Sequence, residues 1–369
     1  MRCVVILEMT TRKPASKQLW REASAGVRDG LNVGATGATV GARWSTNGYF
    51  GTFFPSRRHC FICCSVLQCL SSACFLVETT TLIATTMTTE TDAKQKLPGR
   101  LQFWLNLSAS LPLVEIFGLE SNIALTTVMV LAYFRYMAMI VLVIAFQWSI
   151  DDGAFGASAL VACLHSLTLV PSLYHCFVLQ GWYSYQPSEA MPKESSPWHS
   201  VVTCLLQFCT GYMIYDAILN IVVLNQANLT ASDWMFLGHH AATALYMTST
   251  RWIGAGHQSA MMCMFLGELT NPLHNSFYFL EKAVVYHPSL TTLLTVVQWL
   301  FSVSYVLVRA LVAPPILLYT TYDLWKSSIH KGWVLLWTLL IWGVAIGSYP
   351  WILDCYQTVL GGGSVAAEL

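Results

Sequence analysis

Charge is what this chain has least of. Its 369 residues carry 19 Lys and Arg against 19 Asp and Glu, 10% of positions, where a soluble domain places about a quarter. The balance is zero, so the chain has no global field of the kind that nucleic-acid binders use, and nucleic acid is excluded as a main partner. Internal repeats, Gly-rich phosphate loops and zinc-finger spacings are also missing. Cysteine is not scarce, with 12 in the chain. Five crowd one segment (Cys60, Cys63, Cys64, Cys69, Cys74) and most others lie in apolar runs (Cys163, Cys176, Cys204, Cys209, Cys263, Cys355). Disulfide frameworks belong to small secreted domains, so these read as reduced thiols. What the chain has in excess is apolar surface, at 55% hydrophobic residues. That combination describes a polytopic membrane protein.

Composition divides the chain near residue 87. Residues 1–86 hold scattered charge, a Gly/Ala/Thr-rich stretch and a weak apolar segment over 60–77 behind Arg57 and Arg58. They are expected to be a poorly structured extension. Three readings of them stay open: an upstream extension with Met87 as the working start, an extra span, or a targeting peptide. Residues 87–122 form an amphipathic lead-in, expected on the cytosolic side.

Beyond it come apolar runs long enough to cross a hydrocarbon core of about 30 Å. Seven spans are expected, near 123–148, 155–180, 198–224, 234–253, 258–280, 290–318 and 333–357, with 358–369 a short tail. Runs of this length satisfy their own backbone hydrogen bonds as helices, so the expected fold is all-α, a transmembrane helix bundle. Trp148, Trp182, Trp198, Trp234, Trp325 and Trp333 fall near span ends, as interfacial aromatics do. Lys94, Lys96, Arg100, Lys193, Arg251, Lys326 and Lys331 fall on one side of this arrangement. Lys282 opposes them, with Asp151 and Asp152, which makes the lysine- and arginine-rich side cytosolic. Sequons at Asn106 and Asn228 fall on opposite sides and carry little weight.

Ionisable groups at bilayer depth are costly and usually face the bundle interior. This chain has Arg135, His165, Asp216, His239, His240, Glu268, Arg309 and Asp354 in its spans. Tyr212, Asp216 and Asn220 recur every four residues and share one helix face. His239 and His240 point about 100° apart, so one should act at a site while the other braces a neighbouring helix. Thr243 lies one turn beyond them, and Glu268, Asn271 and Asn275 form one stripe. Pro272 cannot donate to the Glu268 carbonyl and should kink the helix there, while Pro314 and Pro315 should break the helix after Arg309. By depth, Asp216 lies roughly 12 Å and His239 about 8 Å inside the same membrane face, with Glu268 near the middle. These three can share a cavity, whereas Arg309 should fall nearer the other end. Structural ion pairs of Asp216 with Arg135 or Arg309, and a packing role for His165, are the competing readings. His, His and carboxylate could also ligate a metal, but no HExxH or ExxH helix is present, so no metal site is assigned.

Taken in order, Gly211-Tyr212-x-x-x-Asp216, His239-His240, Gly267-Glu268-Leu269-Thr270-Asn271-Pro272-Leu273-His274-Asn275 and Arg309 before Pro314-Pro315 resemble the TLC-domain family. The resemblance runs from about His165 to Tyr356. That family includes ceramide synthases, the translocating-chain-associated membrane protein and small TLC-domain-containing proteins. The Glu-Leu-Thr-Asn-Pro stretch is closer to the last group; where ceramide synthases usually carry two Asp, this chain keeps one displaced carboxylate, Glu268, and lacks the second.

The resemblance implies a role in membrane-lipid homeostasis, with sphingolipid among the candidates, and residence in the endoplasmic reticulum. Two mechanisms remain open under it. One is lipid binding without catalysis. The other is an acyl-CoA-dependent acyltransferase, in which His239 takes a proton from the attacking amine or hydroxyl, Glu268 or Asp216 holds its tautomer, and His240 stabilises the oxyanion. A translocation or export chaperone is a third and more distant reading. The candidate catalytic groups are therefore His239, His240, Glu268 and Asp216. The candidate lipid-binding groups are Tyr212, Asn220, Thr243, Asn271, Asn275, Arg309 and His165. Expected partners are membrane lipids, with fatty acyl-CoA as co-substrate in the enzymatic case and no other cofactor; a homodimer is compatible with the sequence.

Overall fold

The structure, a computed structural model, describes residues 97, 99–181, 184–219 and 231–361. The extension 1–86, its apolar segment, Asn220 and the sequon at Asn228 lie outside the described residues. In chain order the described elements are α1 (Gly99–Ser110), a short hairpin of β1 (Glu115–Ile116) and β2 (Leu119–Glu120), α2 (Asn122–Ala145), α3 (Ile150–Gln180) and α4 (Pro197–Asp216). Then follow α5 (Ala231–Ile253), α6 (His257–Glu268), α7 (Asn271–Tyr286), α8 (Thr291–Val306), a π-turn (Leu307–Val312), α9 (Ala313–Lys326), α10 (Lys331–Gly347) and α11 (Tyr349–Gly361). This is an all-α bundle, as the apolar runs require.

Five helical stretches are long and apolar enough to cross a membrane: Asn122–Ala145, Ile150–Leu179, Pro197–Leu219, Pro288–Lys326 and Lys331–Leu360. The two other expected spans differ for a physical reason. Helix α5 is 23 residues long but carries Asp233, both histidines and Arg251, which lower its apolar character. The run over 258–280 is cut into α6 and α7, of 12 and 16 residues, because Asn271-Pro272 opens a new helix. By contrast, Pro314 and Pro315 do not stop their helix. They sit in the first turn of α9, after a π-turn in which Ala313 N–H donates to Val308 O five residues back. The expected break is a local widening.

Helix α2 packs on α3 and α4, α3 on α7, α4 on α5, α5 on α10, and α8 on both α7 and α11. The lead-in is part of this bundle, since Leu101 and Trp104 of α1 are buried and Trp104 Nε1 donates to Ser172 Oγ on α3 at 3.1 Å. The first turn of α2 leaves orphan N–H groups. Buried Gln207 of α4 accepts two of them, from Ile123 (3.0 Å) and Ala124 (3.3 Å). One turn further along α4, Gly211 allows the backbones to close: a Cβ there would stand 2.5 Å from Ala124 O and 2.8 Å from Thr127 Cβ. Small residues at such contacts are how membrane helices pack without a water-driven force.

Gly211→Val should therefore separate α2 from α4 and destabilise the bundle by about 1–3 kcal/mol. Gly238→Val, at a glycine with nothing within 4 Å of its Cβ position, should leave stability unchanged. Thermal unfolding of both variants in detergent micelles checks this; equal melting temperatures would refute the close contact.

Candidate functional site

Two polar groups and a cavity take in six of the eight ionisable residues expected in the spans, all but Arg135 and Asp354. The first group forms around Glu268, the last residue of α6, where the chain turns into α7. Its Oε2 accepts Ser166 Oγ of α3 at 2.8 Å and Asn271 Nδ2 of α7 at 2.9 Å, so one carboxylate joins three helices. His165 Nδ1 lies 3.6 Å from the same oxygen, beyond a direct hydrogen bond. The His165 ring is fully buried, stacked on Tyr212 at 3.8 Å and on Phe208 at 5.0 Å. Asn275 extends the stripe by donating to Asn271 O at 2.9 Å.

The second group pairs α4 with α5. His240 Nδ1 lies 3.7 Å from Asp216 Oδ2, both side chains are buried, and Phe236 covers the imidazole at 4.1 Å between ring centroids. Asp216 thus meets a histidine. Arg135, the other proposed partner, donates to Ser158 Oγ (2.8 Å) and Ala154 O (3.4 Å) on α3. Asp354 is exposed on α11.

His239 turns the other way, as the 100° offset between adjacent helical residues demands. It borders a cavity of about 430 Å³ walled by α4, α5, α6, the π-turn with α9, α10 and α11. Thr243, Glu268 and Arg309 border it as well, while most of the lining is apolar, including Met213, Met247, Leu266, Leu317 and Ile341. A second space of about 300 Å³ adjoins it between α5 and α10, sharing His239, Ala242, Leu340 and Val344.

Several expectations change here. Asp216, His240, Tyr212 and His165 stand outside the cavity lining, because their helix faces turn into the packed contacts of α4 with α3 and α5. Asn271 and Asn275 brace the α6–α7 junction and do not border it either. Among the described residues the two histidine–carboxylate contacts are His165 with Glu268 and His240 with Asp216, and neither includes His239. Arg309, expected at a different depth, reaches the cavity and donates through Nη2 to Gly267 O at 2.7 Å. The estimate of depth assumed straight spans, whereas α6 ends at Glu268 and a π-turn carries Arg309. No group of three His, Cys, Asp or Glu among the described residues is placed to share a metal ion.

Sequence reasoning missed Ser166, whose hydroxyl is the α3 donor to Glu268, and the apolar wall from α10 and α11. Adjacency to His165 was the signal available for the serine. For the wall there was none, since any apolar helix reads alike.

The bundle and its buried polar cluster define an integral membrane protein built around an intramembrane cavity. The TLC domain family matches residues 154–360, more than half of the chain, and the chain belongs to that family. No curated protein and no solved structure matches it significantly.

Removing the Glu268 carboxylate takes the acceptor from half-buried Asn271 and leaves Ser166 with only the Ala162 carbonyl of its own helix, so Glu268→Ala should cost about 1–3 kcal/mol by breaking the ties between α3, α6 and α7. His239→Ala, at a cavity wall, should leave the melting temperature within a degree or two of wild type, since cavity-facing truncations strand no partner. Melting curves in one detergent test the contrast; a larger loss in His239→Ala would overturn the division of roles.

Proposed function

We propose that the protein binds a membrane lipid, with an acyl chain in the cavity beside His239, and that it acts in membrane-lipid homeostasis. The observation that carries this reading is the cavity itself: about 430 Å³ of mostly apolar lining with Thr243, His239, Glu268 and Arg309 at its border. Ligand sites are commonly of this kind, apolar with a few polar groups that set orientation. In a bilayer the abundant ligand that matches an apolar hollow with a polar margin is a lipid. Membership of the TLC-domain family supports the same reading, and residence in the endoplasmic reticulum is proposed on the family resemblance.

Acyl transfer is the second reading, favoured by one observation, the position of His239 on the cavity wall. There the imidazole could take a proton from an attacking amine or hydroxyl. His240 would then serve as a brace through Asp216 and not as an oxyanion donor.

Ala242 borders both spaces, so Ala242→Trp should fill the cavity and lower co-purified lipid, on the order of tenfold for a loss of ~1.4 kcal/mol. Mass spectrometry of lipid extracted from the purified protein measures this, and undiminished lipid in a folded variant would sink the binding reading. Microsomes given long-chain bases and fatty acyl-CoA separate the two readings. New acylated lipid that vanishes in His239→Ala establishes transfer; unchanged product pools leave binding alone.

A further inference from the structure

Arg309 is the one guanidinium among the described residues that borders the cavity, and none of the salt bridges among them includes it. It lies within the apolar stretch Pro288–Lys326, where an always-charged group costs at least a few kcal/mol unless it finds a partner. Three salt-bridge contacts occur among the described residues, and Arg309 takes part in none of them. Its Nη2 donates to Gly267 O, its Cζ lies 5.5 Å from the Tyr305 ring centroid, and its buried Nε has no hydrogen-bond partner. The carboxylate that shares the cavity, Glu268, already accepts from Ser166 and Asn271. A charge with one backbone carbonyl and one ring face for company is set up for an anion that the protein does not supply.

The local backbone supports this. Arg309 sits inside the π-turn Leu307–Val312, a widening that re-aims a side chain relative to a regular helix and that recurs at functional sites. The two prolines that follow hold the next turn in place.

Resting on the lipid-binding reading above, we propose that the cavity takes a single-chain lipid with an anionic oxygen headgroup, a fatty carboxylate or a lysophospholipid phosphate, and that Arg309 receives that headgroup. Guanidinium meets carboxylate and phosphate through paired N–H donors, and such charge-assisted bonds are about twice as strong as neutral ones. One acyl chain suits a cavity of about 430 Å³, in the lower part of the range of ligand pockets. A protonated long-chain amine would instead bring a second cation beside Arg309, and a neutral alcohol would leave the charge uncompensated.

The test uses the full chain in detergent micelles with radiolabelled oleate, 1-oleoyl lysophosphatidate and oleyl alcohol, which share one chain and differ at the head. At least one anion should bind about tenfold tighter than the alcohol, as one or two charge-assisted hydrogen bonds require. The tighter of the two identifies the headgroup. Arg309→Gln should abolish the preference by weakening binding of the anion, and Arg309→Lys should retain part of it. Equal affinity for all three lipids in the wild-type chain overturns the proposal even if Arg309→Gln does not fold. In that case the lipid-binding reading survives provided that Ala242→Trp weakens all three. Binding of none of them overturns both.

Discussion

A carboxylate at bilayer depth must be supplied with donors, and the way Glu268 obtains them organises the rest of the molecule. Its Oε2 draws a hydroxyl from α3 and an amide from α7 to the end of α6. In surroundings of low dielectric such hydrogen bonds are strong, so the three helices are held at one point. That point is also where the chain is cut, between Glu268 and Asn271, and the cut lets α6 end inside the bundle with its last side chain facing a hollow.

The polar residues fall into two classes by what surrounds them. His165 is stacked on the Tyr212 and Phe208 rings, and His240 faces Asp216 under the Phe236 ring, so these residues fasten α3, α4 and α5 together. His239, Thr243 and Arg309 face open volume. A side chain packed against rings and helix contacts contributes to a unique packing, whereas one at a cavity wall is placed to meet a ligand. Adjacent histidines belong to opposite classes, and the helical repeat alone is enough to separate them.

Interruptions of helices serve the same cavity. The junction after Glu268 and the π-turn at Arg309 bring two charged groups from different helices to one lining, with Arg309 Nη2 on Gly267 O closing the gap. Irregular backbone at membrane depth is tolerated where it lines a cavity or is covered by protein, and both interruptions meet that condition.

Much of the fold was legible in the sequence. The all-α bundle follows from apolar runs that must satisfy their own backbone, and Pro272, which lacks an N–H, marked the place of an expected kink where the structure instead ends α6 and starts α7. The polar short list also contained His239, Thr243, Glu268 and Arg309, since ionisable and hydroxyl groups stand out against an apolar background. Which of them share a hollow was not legible. Spacing along one helix says which face a side chain occupies but not what the face meets, so Asp216 was expected beside His239 and lies beside His240 instead. The apolar walls from α10 and α11, the hydroxyl of Ser166 and the reach of Arg309 depend on contacts between residues far apart in the chain. The sequence by itself determined the helical class, the places where prolines disturb it and the rarity of charge, because these follow from local backbone chemistry and the solvent of the bilayer. Only the tertiary structure decided which charges are answered by the protein and which are left facing empty volume, because that depends on how separate helices pack.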